Sequence, residues 1–313
     1  MQSATRSTPH FQAALVLNAQ ETAAALPYEA LCNEIRRAVV ELHEQKITCP
    51  ERQIVPFGQE GQMSSLPCAS YDLGVHKLVT WLPHNPQQGL PSIHGAVTAW
   101  DAQTGQLRAQ LDGITVTARR TGALSMVAMR LLCDTSSPPV PIVGTGAQAE
   151  GHLQALEAIY PQAKVQIKGY NADQTQAFCT RHQHSPLQPA PLQSETYDGV
   201  DVVITTTNSV SPVYHCPAIK ERLLIGVGAF LPEMAEYAPD TVRASSLFID
   251  EPRGGRREAG DYLQADVDWN SVSSLADALA GRVDFSVPRM FKCVGGAAFD
   301  LAAVRCALQH RSA

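Results

Sequence analysis

Residues 140–149 read Val-Pro-Ile-Val-Gly-Thr-Gly-Ala-Gln-Ala: a short apolar run, then Gly144-x-Gly146-x-x-Ala149 opening an amphipathic stretch. The pattern predicts a strand, a tight glycine turn and a helix start, the geometry that holds a dinucleotide pyrophosphate. Gly144 permits the turn, Gly146 lets the backbone approach the phosphates, and Ala149 lets helix and strand pack closely. The first turn of the helix aims unpaired N–H groups and the positive dipole end at the anion. GxGxxA alone also occurs in ordinary β-α turns, but here both flanks fit. Residues 140–143 suit a buried strand, and Ala149, Leu153, Leu156 and Tyr160 fall at helical spacing until Pro161 stops the run.

Beyond this turn the chain alternates. Residues 164–169 read as a second strand and 173–182 as a second helix; a Pro/Gln-rich loop at 185–196 precedes further strands at 201–206, 223–228 and 247–250. Strands alternating with helices predict an α/β fold with a Rossmann-type, doubly wound parallel sheet. Its ligand lies beyond the carboxyl ends of the strands, at the switch point. Thr206-Thr207-Asn208 and Gly226-Val227-Gly228-Ala229-Phe230 fall on that edge. Thr206, Thr207, Val227, Gly228 and Ala229 are therefore candidate cofactor contacts, while Asn208 serves equally well as a loop cap.

Upstream the texture differs. Leu31, Ile35, Val39 and Leu42 mark an amphipathic helix over 28–46. From about 50 to 118 come short β-like pieces (75–82, 95–100, 107–111 and 114–117) between Pro-, Gly- and Asn-rich turns, with 101–105 a hairpin connection. Residues 121–132 read as a helix. This part is a mixed α+β unit.

A chain of 313 residues suffices for two domains and a large core. At 44% hydrophobic and 17% charged, the composition is that of an ordinary soluble protein. A net charge of −6 gives no electrostatic case for nucleic acid or anionic membrane. The cysteines (32, 49, 68, 133, 179, 216, 293, 306) are scattered without a CxxC pair. That argues against a zinc site and a disulfide framework, and fits reduced thiols in the cytoplasm. The histidines are equally dispersed, so no metal is expected, and His182 and His184 read as solvated loop residues. Arg6 and the apolar run 13–17 fall short of a signal-peptide core, and no stretch reaches membrane-spanning length.

Five strings, in order, resemble the ornithine cyclodeaminase/mu-crystallin family of NAD(P)-dependent imine-handling enzymes over residues 45–305. They are Gly74-Val-His-Lys77-Leu-Val-Thr80, Thr117-Ala-Arg-Arg120-Thr121-Gly-Ala, Val143-Gly-Thr-Gly-Ala-Gln-Ala149, Gly228-Ala-Phe-Leu-Pro232 with Glu236, and Phe291-Lys-Cys-Val-Gly295. The resemblance implies a homodimer with a substrate and dimerisation domain at 1–122 and 294–313, and an inserted NAD(P)-binding domain at 123–293. It implies Lys77 and Arg120 as catalytic and substrate-binding residues, with Arg52 a second arginine at the substrate carboxylate. Ser92 matches a hydroxyl near the nicotinamide. Gly144, Thr145, Gly146, Ala147 and Gln148 match the pyrophosphate turn, and Val294 and Gly295 a segment beside the ring.

Elementary chemistry supports these roles. A small carboxylate in a partly buried site needs a cationic clamp, and arginine supplies a planar bidentate fork. Burial beside other cations lowers a lysine pKa, which suits Lys77 to proton donation. Val75, Leu78 and Val79 favour partial burial of Lys77 over a snorkelling surface position. Arg119-Arg120 at a helix start would be unfavourable without an anionic partner; the alternative is a solvated pair.

One departure discriminates among activities. The family's cyclodeaminases carry Gly-Gly-Asp-x-Pro-Gly-Lys after the fourth strand, with the aspartate as general acid/base. Here Phe230 stands in that place, and a phenyl ring cannot move a proton. Glu233 and Asp261 do not match the position. The Gly-x-Phe-x-Pro pattern resembles the reductase branch, whose cyclic ketimine needs no amine expulsion. The expected activity is reduction of Δ1-pyrroline-2-carboxylate to L-proline and of Δ1-piperideine-2-carboxylate to L-pipecolate, with proximity and orientation the main catalytic contribution. Lys77 is the candidate donor to the imine nitrogen. Tyr170-Asn171-Ala172 follows the second strand without an acid for the ribose hydroxyls. Asn171 is thus a candidate cofactor contact, Lys168 or Arg181 a candidate for a 2′-phosphate, and the expected cofactor is NADPH, with NADH accepted. Competing readings are an ornithine cyclodeaminase, an alanine or N-alkyl amino-acid dehydrogenase, and a non-catalytic NADPH-binding crystallin-like protein.

Overall fold

Two sheets and the helices that join them organise the computed structural model, which describes residues 13–136 and 138–310. The first sheet is built from β1 (Leu15–Val16), β2 (Gln53–Phe57), β3 (Gly61–Ala69), β4 (Leu73–Trp81), β5 (Ile93–Asp101) and β6 (Leu107–Asp112), in the order β1-β6-β5-β4-β3-β2. Neighbours are antiparallel except β1, which pairs parallel with β6. Between β1 and β2 come α1 (Ala19–Ala24) and α2 (Tyr28–His43). The β5–β6 connection is the expected hairpin: Asp101 Oδ1 accepts N–H bonds from Gln103 and Thr104, at 3.1 and 2.9 Å. On β4 the alternate residues Leu73, Val75 and Lys77 are buried, as a period of two requires of a sheet with one covered face.

The helix α3 (Gly113–Leu132) carries the chain into the second sheet and corrects one expectation. Residues 114–117, read as a strand from their β-branched run, are its first turn. Asp112 overrides that local preference by capping the helix, its side chain accepting the Thr115 N–H at 2.8 Å. Arg119 and Arg120 consequently lie mid-helix, not at its start.

The second sheet is wholly parallel. It comprises β7 (Pro139–Val143), β8 (Lys164–Lys168), β9 (Ala190–Pro191), β10 (Val202–Thr205), β11 (Leu223–Gly226), β12 (Ser246–Ile249), β13 (Ser273–Ser274) and β14 (Arg289–Lys292), in the order β13-β12-β14-β11-β10-β7-β8-β9. The intervening helices are α4 (Ala147–Ile159), α5 (Ala172–Arg181), α6 (Pro239–Arg243), α7 (Pro252–Glu258), α8 (Gly260–Gln264) and α9 (Leu275–Leu279). From β7 the chain winds outward through β8, then returns to β10 on the other side. The switch point therefore lies between β7 and β10, above the glycine turn. Strand β14, absent from the expected set, fills the gap between β11 and β12. Its charged ends, Arg289 and Lys292, disguise a strand whose four residues are all buried.

Finally α10 (Ala297–His310) turns back and packs on α2, β3 and β4. That return begins close to the expected boundary at 294, whereas the boundary at 122/123 falls inside α3. Arg6, residues 1–12 and residues 311–313 lie outside the described residues. Among the described residues no helix is long and apolar enough to cross a membrane, and no group of three His, Cys, Asp or Glu is placed to hold a metal.

Candidate active site

Three elements bring charge together under the first sheet. The period of β4 turns Lys77 inward, α3 supplies Arg120 from its buried stripe, and α10 presents Asp300. Lys77 is 4% exposed, Arg120 5% and Asp300 0%. Lys77 Nζ lies 2.9 Å from Asp300 Oδ2 and donates to Oδ1 at 3.1 Å. Arg120 Nε stands 3.5 Å from the same carboxylate. Two cations thus share one anion, and the buried Nε and Nη1 of Arg120 make no hydrogen bond. Orphaned buried donors on a charged group are costly unless an acceptor reaches them. Burial pushes the Lys77 ammonium down to about 8; Asp300 opposes this, and Arg120 and Arg52 add to it. The anionic partner expected for the arginine pair is therefore real, but it is Asp300. The adjacent Arg119 faces elsewhere, stacking over Tyr28 at 4.1 Å and donating to the Leu26 carbonyl.

Gly295 presses directly on the Arg120 guanidinium. Its φ is +82°, and a Cβ there would come within 2.6 Å of Nη1. The loop is pinned by Asp250, at the carboxyl end of β12, which accepts the N–H groups of Val294 and Gly295 at 3.0 and 2.8 Å. Val294 and Gly295 line a cavity of about 310 Å³ together with Cys49, Arg52, Leu66 and Glu258. A drug-sized ligand fits pockets of this order or larger, so a single small ring suits it. Arg52 is held at the rim by Glu258, 2.7 Å away. Arg257 and Glu51 form a second, oppositely arranged ion pair across the same gap. Burial raises the Glu258 pKa, against the pull of Arg52.

The glycine turn fits a dinucleotide. Gly144 has φ +125°, and a Cβ there would collide with the Thr206 side chain; one at Gly146 would meet open space. The Thr206 N–H bonds the Val143 carbonyl at 2.8 Å, setting the ends of β7 and β10 side by side. No side chain caps the N-terminus of α4, where Thr145, Ala147 and Gln148 surround the free N–H groups, and Gln148 Oε1 is buried without a partner. Asn171 caps α5, accepting the Gln174 N–H at 2.9 Å. Thr207 and Gly228 are tied to Glu236, whose Oε1 and Oε2 accept their N–H groups at 2.6 and 2.7 Å. Val227 and Ala229 are buried, and the Ala229 carbonyl accepts from Gly260.

Ser92 is not brought to this constellation. It lies beside Leu82 beyond the end of β4, five residues or ~17 Å along the ladder from Lys77. Phe230 is 40% exposed after β11. Asp261, the nearest substitute for the missing acid in the sequence reading, is committed to Lys292 at 2.8 Å, and Glu233 is exposed. Asp300, Asp250 and Glu258 escaped the sequence reading. The one available signal was a lone Asp300 within the apolar run 297–304, where a buried charge demands a partner.

A family model for the ornithine cyclodeaminase/mu-crystallin family matches residues 12–310. The chain is 46% identical to the Δ1-pyrroline-2-carboxylate/Δ1-piperideine-2-carboxylate reductase of Azospirillum brasilense, over 93% of this chain and 94% of that one. It is also 46% identical, with the same coverage, to Δ1-pyrroline-2-carboxylate reductase 2 of Burkholderia ambifaria. Among solved structures, the Thermococcus litoralis Δ1-pyrroline-2-carboxylate reductase with NADH and L-proline superposes with a TM-score of 0.84 at 24% identity, covering 94% of this chain and 96% of that one. An archaeal alanine dehydrogenase dimer with bound NAD gives 0.85 at 19% identity, covering 96% of each chain. These two share the fold. By the extent of the family match and the identity to its members, the chain belongs to the ornithine cyclodeaminase/mu-crystallin family.

Proposed function

We infer that this protein is an NAD(P)H-dependent ketimine reductase that converts Δ1-pyrroline-2-carboxylate to L-proline and Δ1-piperideine-2-carboxylate to L-pipecolate. The observation that carries this reading is the surplus positive charge at Arg120 and Lys77, with two guanidinium nitrogens lacking acceptors behind a small cavity. A substrate carboxylate satisfies those donors, and Arg52 at the rim adds a third cation. The A. brasilense and B. ambifaria relatives are named for this chemistry. With Phe230 in the place of the cyclodeaminase acid, amine elimination lacks its proton-moving group.

Residues 123–293 are proposed to bind the cofactor, through Gly144, Thr145, Gly146, Ala147 and Gln148 at the pyrophosphate and Thr206, Thr207, Val227, Gly228, Ala229, Val294 and Gly295 around the remainder; Asn171 falls to the ribose. When bound, the nicotinamide supplies the hydride for the imine carbon. Arg120, Arg52 and Lys77 hold the carboxylate and fix the ring's orientation. Burial keeps water from the cations and strengthens their hold. The Lys77 ammonium, more acidic than an exposed lysine, gives a proton to the imine nitrogen. NADPH is the proposed preference with NADH accepted, because residues 169–172 after β8 include no acid to repel a 2′-phosphate, Asp173 coming only later, and Lys168, paired with Glu195 at 3.0 Å, ends that strand. Residues 1–122 and 294–313 are proposed as the substrate and dimerisation part of a cytoplasmic homodimer. Val55, Phe57 and Leu78 share the face of the first sheet opposite Lys77 and are all exposed, an apolar surface of the kind that marks an interface.

The purified protein, given each cyclic imine in turn, should consume NADPH faster than NADH. Absence of imine-dependent loss of reduced-nicotinamide absorbance with either ring defeats the reading, and a strong NADH preference reverses the cofactor assignment.

A further inference from the structure

Cys49 and Cys68 are 19 residues apart in the chain, yet their sulfur atoms lie 3.4 Å from each other. The fold brings them together through an isolated antiparallel bridge between Thr48 and Ala69, which exchange both backbone hydrogen bonds at 2.8 and 2.9 Å. The next pair along such a ladder is not hydrogen-bonded, and its Cα atoms stand ~4.5 Å apart, within the range a disulfide spans. Cys68 is buried on β3, whereas Cys49 is partly exposed and lines the active-site cavity three residues before Arg52. Solvent and small oxidants therefore meet Cys49 first, with a second sulfur directly behind it. Contact with Cys49 and burial both hold the Cys68 thiol protonated, so its proton must leave as it attacks; its place directly behind Cys49 makes it the resolving partner.

We propose that Cys49 and Cys68 form a peroxide-responsive dithiol whose oxidation to a cross-strand disulfide reshapes the wall of the substrate cavity. In the first step Cys49 sulfur attacks hydrogen peroxide. The O–O bond breaks, an S–O bond forms, and one water leaves with the thiol proton, leaving a sulfenic acid. Cys68 sulfur then attacks Cys49 sulfur; the S–S bond forms, the S–O bond breaks, and the hydroxyl departs as a second water with the Cys68 proton. Two electrons pass from the two thiols to peroxide. The bond shortens the sulfur separation and draws residues 48–52 onto β3, carrying Arg52 with them. A dithiol of this kind is compatible with a reducing compartment, where disulfides are transient and regulatory.

The test uses the full-length enzyme treated with hydrogen peroxide and digested with trypsin without reduction. Cleavage after Lys46, Arg52 and Lys77 puts Cys49 in residues 47–52 and Cys68 in residues 53–77, one cysteine to each peptide. The expected product is those two peptides joined with the loss of two hydrogens, accompanied by a fall in kcat/KM of about tenfold carried by KM, the cost of misplacing a substrate-holding group. Dithiothreitol should reverse both. In Cys68→Ala peroxide should give no joined pair and no thiol-reversible change in KM. Peptides that stay separate, or Cys49 passing straight to sulfinic acid in the wild type, overturn the dithiol. A joined pair with unchanged KM overturns its effect on the cavity. The joined peptides are read by mass alone, so this result stands apart from whether the imine assay succeeds.

Discussion

Lys77 with Asp300 and Lys292 with Asp261 are both lysine–carboxylate pairs withdrawn from water, yet their surroundings differ in one decisive respect. Around Lys292 the ammonium and every neighbouring carboxylate oxygen find a partner. Its ammonium meets Asp261 Oδ2 at 2.8 Å; Asp261 Oδ1 accepts the N–H groups of Glu236 and Tyr237, and both Glu236 oxygens are filled by Thr207 and Gly228. Around Lys77 the count is uneven: a second cation, Arg120, leans on the same carboxylate with two nitrogens unanswered. The first arrangement is finished and braces the loop after β11. The second is left open, with Arg120 Nε and Nη1 and Asp300 Oδ2 all lacking a hydrogen-bond partner. What separates the two clusters is not buried charge but polar atoms left without partners.

Breaking the balanced pair should have the largest effect, and on stability. Lys292→Met strands Asp261 as an unpaired buried charge and should lower unfolding free energy by about 3–5 kcal/mol, read by urea titration. Adding Asp261→Asn should recover part of the loss. The uneven cluster should respond the other way. Arg120→Met is expected to lower kcat/KM by about 2–5 kcal/mol of transition-state binding, or roughly 30- to 5,000-fold, with the urea midpoint nearly unchanged. If Arg120→Met instead unfolds the protein while Lys292→Met does not, the contrast is reversed.

A pH profile sharpens the same comparison. Lys77 is protonated below about 8, so kcat/KM for imine reduction should be flat there and fall about tenfold per pH unit above it. Asp300 raises the Lys77 pKa; Asp300→Asn removes that support and should move the alkaline limb to lower pH. A limb that stays in place would separate Lys77 from the proton. Next in size, Gly295→Ala places a methyl against Arg120 at a left-handed backbone position, and should cost about 1–3 kcal/mol in kcat/KM. Smallest is Ser92→Ala: five residues along the ladder from Lys77, it should change kcat/KM less than about twofold. A tenfold loss would bring Ser92 back among the cofactor contacts.

Much of this was legible from local rules. The glycine turn was readable because only glycine tolerates the φ of Gly144 beside Thr206, and the parallel sheet because its strands are apolar runs between helical ones. Lys77 was readable from its match to the family's lysine string, and its burial from apolar Val75, Leu78 and Val79 around it. What escaped depends on distant partners. Asp300 has meaning only once α10 folds back under β4, and β14 hides behind Arg289 and Lys292, which look like surface residues until their partners arrive. Residues 114–117 mislead for the opposite reason: their β-branched side chains favour a strand, and one capping carboxylate at Asp112 decides otherwise. Cys49 and Cys68 look unrelated in the chain because a bridge of one residue pair aligns them.

The return of α10 has a consequence for biosynthesis. The carboxylate that makes two internal cations tolerable is encoded after the whole parallel sheet, so Lys77 lacks its ion-pair partner while the ribosome is still making that sheet. The interior beneath β4 can close only once Asp300 has emerged, and a nascent chain stopped short of it would hold Lys77 in water, unable to lower its affinity for protons.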